Sequence, residues 1–239
     1  MLKITIFNEF MHERDDDRCK AIYPEGIHKV LADFIGKDIE CQIKCFTTDD
    51  VNEGLTDAVL DDTDVILWWG HAYHQLVSDE TAKRVSDHVL GGMGAVFLHS
   101  SHKAKPFMNL MGTTCNLRWR EEAEREILWV TDPTHPVAAG IPDHFELEHE
   151  ETYGELFDIP QPDALVFISW FSGGNVFRSG CAYKRGMGRI FYFQPGHETF
   201  PTYKDGTIQK VINNAVKWVT PVRRLEKLEC MHEVDAVVR

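Results

Sequence analysis

Residues 64–102 read DVILWWGHAYHQLVSDETAKRVSDHVLGGMGAVFLHSSH. Asp64–Trp69 is a continuous apolar run, the pattern of a parallel strand covered on both faces. Ser78 can cap a helix over Asp79 to Leu90, and Gly91-Gly92 can end it. A second apolar run, Ala95–Leu98, follows at once and stops in His99-Ser100-Ser101-His102. Strand, helix and strand at this short spacing make a βαβ unit. Both strands end in polar, ionisable residues, His71 and His74 after the first, His99 and His102 after the second.

Outward from this unit the first half keeps the same alternation. Leu2–Phe7 reads as a buried first strand and Asn8–Tyr23 as a long charged loop. A helix is predicted from Pro24 to Phe34, a strand over Ile39–Phe46 and a short helix over Asp49–Leu60. The second half is richer in strands: Ile127–Val130, Phe145–Glu148, Ala164–Ile168, Val176–Cys181 and Arg189–Phe193. A closing helix is expected over Thr207–Val219. The fold class is α/β, a doubly wound, mostly parallel sheet. One domain is expected over 1–220, followed by a polar tail over 221–239.

Composition removes several function classes. A formal charge of −13 disfavours nucleic acid, which needs a basic face. No run reaches the roughly 18 apolar residues of a membrane span. The start, MLKITIFNEF, lacks the features of a signal peptide. The six cysteines carry no CxxC pair, which fits reduced thiols and a cytoplasmic location. GxGxxG, Walker, HExxH and zinc-ribbon patterns are all absent, so no nucleotide cofactor is expected.

Ligands of open parallel sheets sit beyond the carboxyl ends of the strands. Four segments meet that description: Asn8-Glu9, Gly70-His71, His99-Ser100 and Gln194–Glu198. Twelve histidines is a large share for 239 residues, and five lie in or beside these segments. His71 and His74, and again His99 and His102, are three apart, a spacing that can put two rings on one side as metal ligands. Together with His197 they are the candidate set for a divalent ion, zinc foremost. His197 beside Glu198 suits general acid/base work. Ser100 is a weaker nucleophile candidate, since it lacks the glycines of a G-x-S-x-G elbow and needs His197 as its base. The plain alternative is that Ser100 and Ser101 cap the next helix. The acidic stretch Glu146–Glu155 reads mainly as a solvated face with a turn at Tyr153-Gly154. Glu150, Glu151 and Tyr153 nevertheless stand as candidates.

The blocks LKITIFNEF, YPEGIH, DDTDVILWWGHAYH, VLGGMGAVFLHSSH, FMNLMGTTCNLRWR, PTHPVAAGI, EETYGELFDIP, SWFSGGNVFRSG and GRIFYFQPGHETFPTY, in this order, resemble the trehalose-utilisation (ThuA-like) family from about Leu2 to Val219. The resemblance implies a flavodoxin-like sheet of the class I glutamine amidotransferase-like kind. The catalytic cysteine of that superfamily would stand where this chain has His99-Ser100, so glutamine hydrolysis is not expected. The implied setting is bacterial sugar catabolism, with isomerisation, elimination or hydrolysis of a 3-keto-disaccharide. The expected catalytic residues are His197, His99, Glu151 and Glu198. Asn8, Glu9, Ser100 and Tyr153 are expected to bind substrate, and His71, His74, His99 and His102 a metal. A non-catalytic sugar-binding or regulatory module is the alternative. The expected partner is a small sugar, and the expected assembly a homo-oligomer.

Overall fold

The computed structural model describes residues 1–225 and 227–230. Nine strands form one sheet: β1 (Leu2–Asn8), β2 (Cys41–Thr47), β3 (Val65–Trp69), β4 (Gly94–Leu98), β5 (Arg118–Val130), β6 (His144–Gly154), β7 (Ala164–Phe171), β8 (Val176–Arg185) and β9 (Gly188–Phe193). Their order is β2-β1-β3-β4-β9-β8-β7-β5-β6. From β2 to β9 all neighbours are parallel. From β9 to β6 all are antiparallel. β3 and β4 are buried at every position, as their unbroken apolar runs require.

Helices cover both faces. Ile27, Leu31, Phe34 and Ile35 of α3 (Ile27–Asp38) and Ile208, Val211, Ile212 and Val216 of the C-terminal helix (Gly206–Val219) pack with Ile4, Ile6 and Val96 in one core. The helices over Asp79–Gly91 and Lys105–Met111 cover the other face through Val85, Val89 and Phe107, against Phe7, Ile66 and Phe97. Ser78 accepts the Thr81 N–H at 3.0 Å and caps the first of these, as its sequence predicts.

The structure corrects several local expectations. The Asn8–Tyr23 segment carries two short helices, α1 (His12–Asp15) and α2 (Asp17–Ile22). The helix predicted from Pro24 starts at Ile27, after Gly26. Asp49–Leu60 is two pieces, α4 (Val51–Gly54) and α5 (Asp57–Asp61); the second is capped by Thr56. In chain order the remaining helices are therefore α6 (Asp79–Gly91), α7 (Lys105–Met111) and α8 (Gly206–Val219). The largest correction concerns the acidic stretch. β6 runs straight through it to Gly154, with no turn at Tyr153, and Glu150 and Glu151 are both buried. Of the tail expected over 221–239, Glu226 and residues 231–239 lie outside the described residues. Arg224 donates to the carbonyls of Leu60, Asp61 and Thr63 and so fastens the start of that segment to the domain. No helix among the described residues is long and apolar enough to cross a membrane.

Candidate active site and metal centre

Three parallel strands and one antiparallel strand deliver the site. β3 ends at Trp69, and the loop after it presents His71. β4 ends at Leu98, and His99 follows in the left-handed region with φ 53°. A non-glycine residue held there costs on the order of 1–3 kcal/mol and persists only where its surroundings fix it. Tyr192 does part of this, donating its hydroxyl to the His99 carbonyl at 3.0 Å. β9 leads through Gln194 to His197, and β6 supplies Glu150, Glu151 and Tyr153.

Two buried glutamates shape the rim loops. Glu9 accepts the backbone N–H groups of His71, Ala72 and Tyr73 at 2.9–3.0 Å. Glu150 accepts those of Gly196 and His197 at 3.0 and 3.1 Å, and the Thr202 hydroxyl at 2.8 Å. Each carboxylate thus satisfies donors that a tight loop would leave unpaired inside the protein. Gly196 completes the second loop: at φ 134° any Cβ would stand 1.9 Å from the Tyr203 hydroxyl.

On this frame His71, His99, Glu151 and His197 converge, with one ligand-type atom from each lying within 4.8 Å of all the others. His99 Nε2 and Glu151 Oε2 are 3.0 Å apart. Despite that distance neither is aligned for a hydrogen bond, and both, like His197 Nε2, are buried without a partner. Unpartnered buried polar atoms cost roughly 1–3 kcal/mol each. Three of them aimed at one point therefore carry a penalty that a cation at that point would remove. The opposite ring nitrogens are all held. His71 Nδ1 donates to Glu198 at 2.8 Å, His99 Nδ1 to the Gln194 carbonyl at 2.9 Å, and His197 Nδ1 bonds the Thr199 hydroxyl at 2.7 Å. For His71 and His99 such contacts place the hydrogen on Nδ1 and leave Nε2 as the lone-pair donor. His197 Nδ1 also accepts the Thr199 N–H at 3.3 Å, so its neutral ring carries the hydrogen on Nε2. Ligation by His197 requires that hydrogen to move to Nδ1, toward the Thr199 hydroxyl.

Charge is divided unevenly over the cluster. Burial opposes ionisation of His71, but its hydrogen bond to Glu198 raises it to about 9. Burial lowers His99, and lowers His197 to about 4, so both rings are neutral near pH 7. Burial raises Glu151 to about 7. Glu198, although buried, stays well below the usual carboxylate range because His12 and His71 both donate to its Oε1. His12, His71 and Glu198 also form a second close group behind the first.

The remaining residues singled out in the sequence fall elsewhere. His102 lines the cavity but bonds the Cys115 carbonyl at 2.7 Å, and burial lowers it to about 3. His74 packs beside Glu9 under the loop and is outside the cluster. The three-residue pairs therefore do not act as pairs. Asn8 is buried and donates to Glu13 at 2.7 Å, away from the cavity. Ser100 hydrogen-bonds Tyr153 at 2.6 Å rather than His197, and Ser101 bonds the Trp68 carbonyl at 2.9 Å. Neither caps α7, whose first turn follows Ala104 with no side-chain cap. Tyr153 is buried and stacks on His99 with ring centres 5.3 Å apart. Gln194 gave no sequence signal as a ring holder, because that role is visible only once β9 lies beside β4. Thr199 holds His197 from two residues away, a local contact that the PGHETF segment itself could have suggested. The cluster opens into a cavity of about 400 Å³ lined also by Lys103, Asn116, Leu117, Trp119 and Glu121.

Residues 3–219 match the family described as ThuA, trehalose utilisation. The chain belongs to the ThuA family. No curated protein matches it. Among solved structures, a ThuA-like protein from Parabacteroides merdae superposes with a TM-score of 0.69 at 14% identity, covering 94% of this chain and 92% of the other. A ThuA-like protein from Bacteroides uniformis gives 0.64 at 17% identity, with 91% of each chain covered. A GMP synthase component from Thermoplasma acidophilum gives 0.54 at 14% identity, over 91% and 93%. At these identities the likeness speaks for fold alone. This ThuA chain has the flavodoxin-like, glutamine amidotransferase-like architecture that its sequence predicts.

Proposed function

We propose that this chain is a sugar-processing enzyme of the trehalose-utilisation type, acting on a 3-keto-disaccharide or related sugar with a divalent metal held by His71, His99, Glu151 and His197. The observation that carries the metal is the set of three buried, unpartnered atoms, His99 Nε2, Glu151 Oε2 and His197 Nε2, aimed at one point. Three imidazoles and one carboxylate suit zinc, the ion of first choice. When bound, such an ion supplies Lewis-acid stabilisation of negative charge on a sugar oxygen.

The chain's own groups do the rest. Glu198 keeps the His71 ring oriented, and Gln194 and Thr199 do the same for His99 and His197. Burial holds His99 and His197 neutral. His99 binds through Nε2, and His197 does so once its hydrogen moves to Nδ1, toward the Thr199 hydroxyl. A carbonyl acidifies the neighbouring C–H, so one positioned base that removes this proton is enough to begin isomerisation or elimination, and no nucleophile is needed. Ser100, engaged with Tyr153, is not asked to be one. A second reading rests on Glu151 alone. With its acidity near neutrality and its Oε2 3.0 Å from His99 Nε2, that pair could exchange protons with substrate without a metal.

Metal analysis paired with turnover separates the two. In the metal reading, His71→Ala and His99→Ala lose bound zinc and turnover of a 3-keto-disaccharide together. Full activity in chelator-treated, metal-free protein would sink it and leave the His99–Glu151 pair. The non-catalytic alternative predicts a protein that binds the sugar and never turns it over, with or without added metal.

A further inference from the structure

We infer that Trp119 and Glu121, at the start of β5, form the carbohydrate-recognition subsite of this cavity. Trp119 provides the platform on which a pyranose ring stacks, and Glu121 accepts its hydroxyls. The inference rests on the sugar reading above and deepens it. Trp119 is 65% exposed, an unusual state for an indole, yet it lines the cavity into which His71 and Glu151 of the cluster face. The other strongly exposed indole, Trp129, is covered by stacking on His144 with ring centres 4.6 Å apart. A single exposed apolar side chain is ordinary on a protein surface; what singles out Trp119 is its place, with Leu117, in the lining of this cavity.

The β-ladder fixes where that platform stands. Trp119 is the direct partner of Tyr153 across β5 and β6, so both side chains leave the same face of the sheet. Tyr153 in turn stacks on His99. The indole is thus one side chain removed from the cluster. Two residues on, Glu121 returns to that face, and its Oε1 lies 3.8 Å from His197 Nε2. A ring on Trp119 would therefore present its edge to the cluster.

Sugars suit this lining for chemical reasons. A pyranose has an apolar C–H face, which an indole can cover, and a hydroxyl edge that needs donors and acceptors together. Glu121 is an acceptor. Lys103 donates to Asn116 Oδ1 at 2.8 Å, which leaves the Asn116 amide nitrogen to serve as a donor. Leu117 extends the apolar side.

The experiment uses the whole, metal-replete chain with trehalose as the probe, followed by tryptophan fluorescence and titration calorimetry. Trp119→Ala should weaken trehalose binding about tenfold or more, roughly 1.4 kcal/mol, and remove the fluorescence response. Trp119→Phe should retain part of the affinity, and Glu121→Gln should lose about tenfold. All three should keep bound metal and assembly mass unchanged. Trehalose binding equal to wild type in Trp119→Ala overturns the subsite while leaving the sugar reading intact. A wild-type chain that binds neither trehalose nor its 3-keto form overturns both. A change of assembly mass in Trp119→Ala assigns the indole to a contact between copies of the chain instead.

Discussion

Loading the metal-free protein with zinc should release protons, and the site's charge distribution sets how many. His71, raised to about 9 by Glu198, is almost fully protonated at pH 7. Glu151, near 7, is about half protonated. His99 and His197 are shifted downward and carry no extra proton. Since ligands bind metal only when deprotonated, loading at pH 7 should release about 1.5 protons. The number should rise to about 1.9 at pH 6, where Glu151 is nearly all protonated, and fall to about 1 at pH 8. The sign follows: protons compete with the ion, so affinity climbs with pH, by about 30-fold per unit near pH 7, and flattens above about 9. Calorimetric titrations in buffers of different ionisation enthalpy read the proton count directly. Glu198→Gln provides the internal control, because it removes the hydrogen bond that does most to raise His71 and leaves only the charges of Glu151 and Glu9 to oppose burial, so the release should fall. A pH-independent affinity with no proton release in the wild type would refute the assignment of His71 and Glu151 as ligands.

Three further outcomes are expected. Glu9→Gln turns an acceptor into a donor facing backbone N–H groups, so it should cost about 2 kcal/mol and lower Tm by roughly 4–8 °C, measured by calorimetry, with metal binding weakened as the His71 loop loosens. His102→Ala removes a cavity wall that is outside the cluster, so elemental analysis should find metal content unchanged; loss of the ion would redraw the ligand set. Ser100→Ala should keep turnover within about tenfold, because nucleophile removal in an enzyme that needs one costs several orders of magnitude more.

The parallel half of the sheet is legible in the sequence because its signal is local. VILWW and GAVFL carry their double-sided burial in their own composition. β5 and β6 run longer than predicted, because their outer segments, RWREEAERE and EHEETYG, alternate weakly and are thick with charge. What makes EHEETYG a buried strand is distant. The donors that satisfy Glu150 come from Gly196, His197 and Thr202, across the sheet and some 46–52 residues away in sequence. No window along the chain contains that information. The histidine spacing misleads for a related reason. A separation of three implies a shared side only on a regular helix. His71 lies in a loop and His74 begins a single 3₁₀ turn, so Glu9 fixes one while the other turns beneath it.

The proposed ligand set takes one residue from each of four elements, and that pattern explains why a cysteine-free elbow still makes chemical sense. The turn after β4 holds its first residue at φ 53° above the carboxyl ends of the sheet, a strained placement that any reactive side chain there inherits. A thiol at that point would need a partner base. An imidazole needs instead an acceptor for Nδ1, a stacking wall and further ligand-type groups converging beside Nε2. The Gln194 carbonyl, Tyr153 and the Glu151–His197 pair supply these in turn. Each lies on a different strand or loop, so the whole constellation depends on β9 pairing with β4 and on β6 reaching the same rim. The elbow thus sets where the reactive side chain stands, while the chemistry it supports is set by the side chain placed there and by the partners the antiparallel half brings to it.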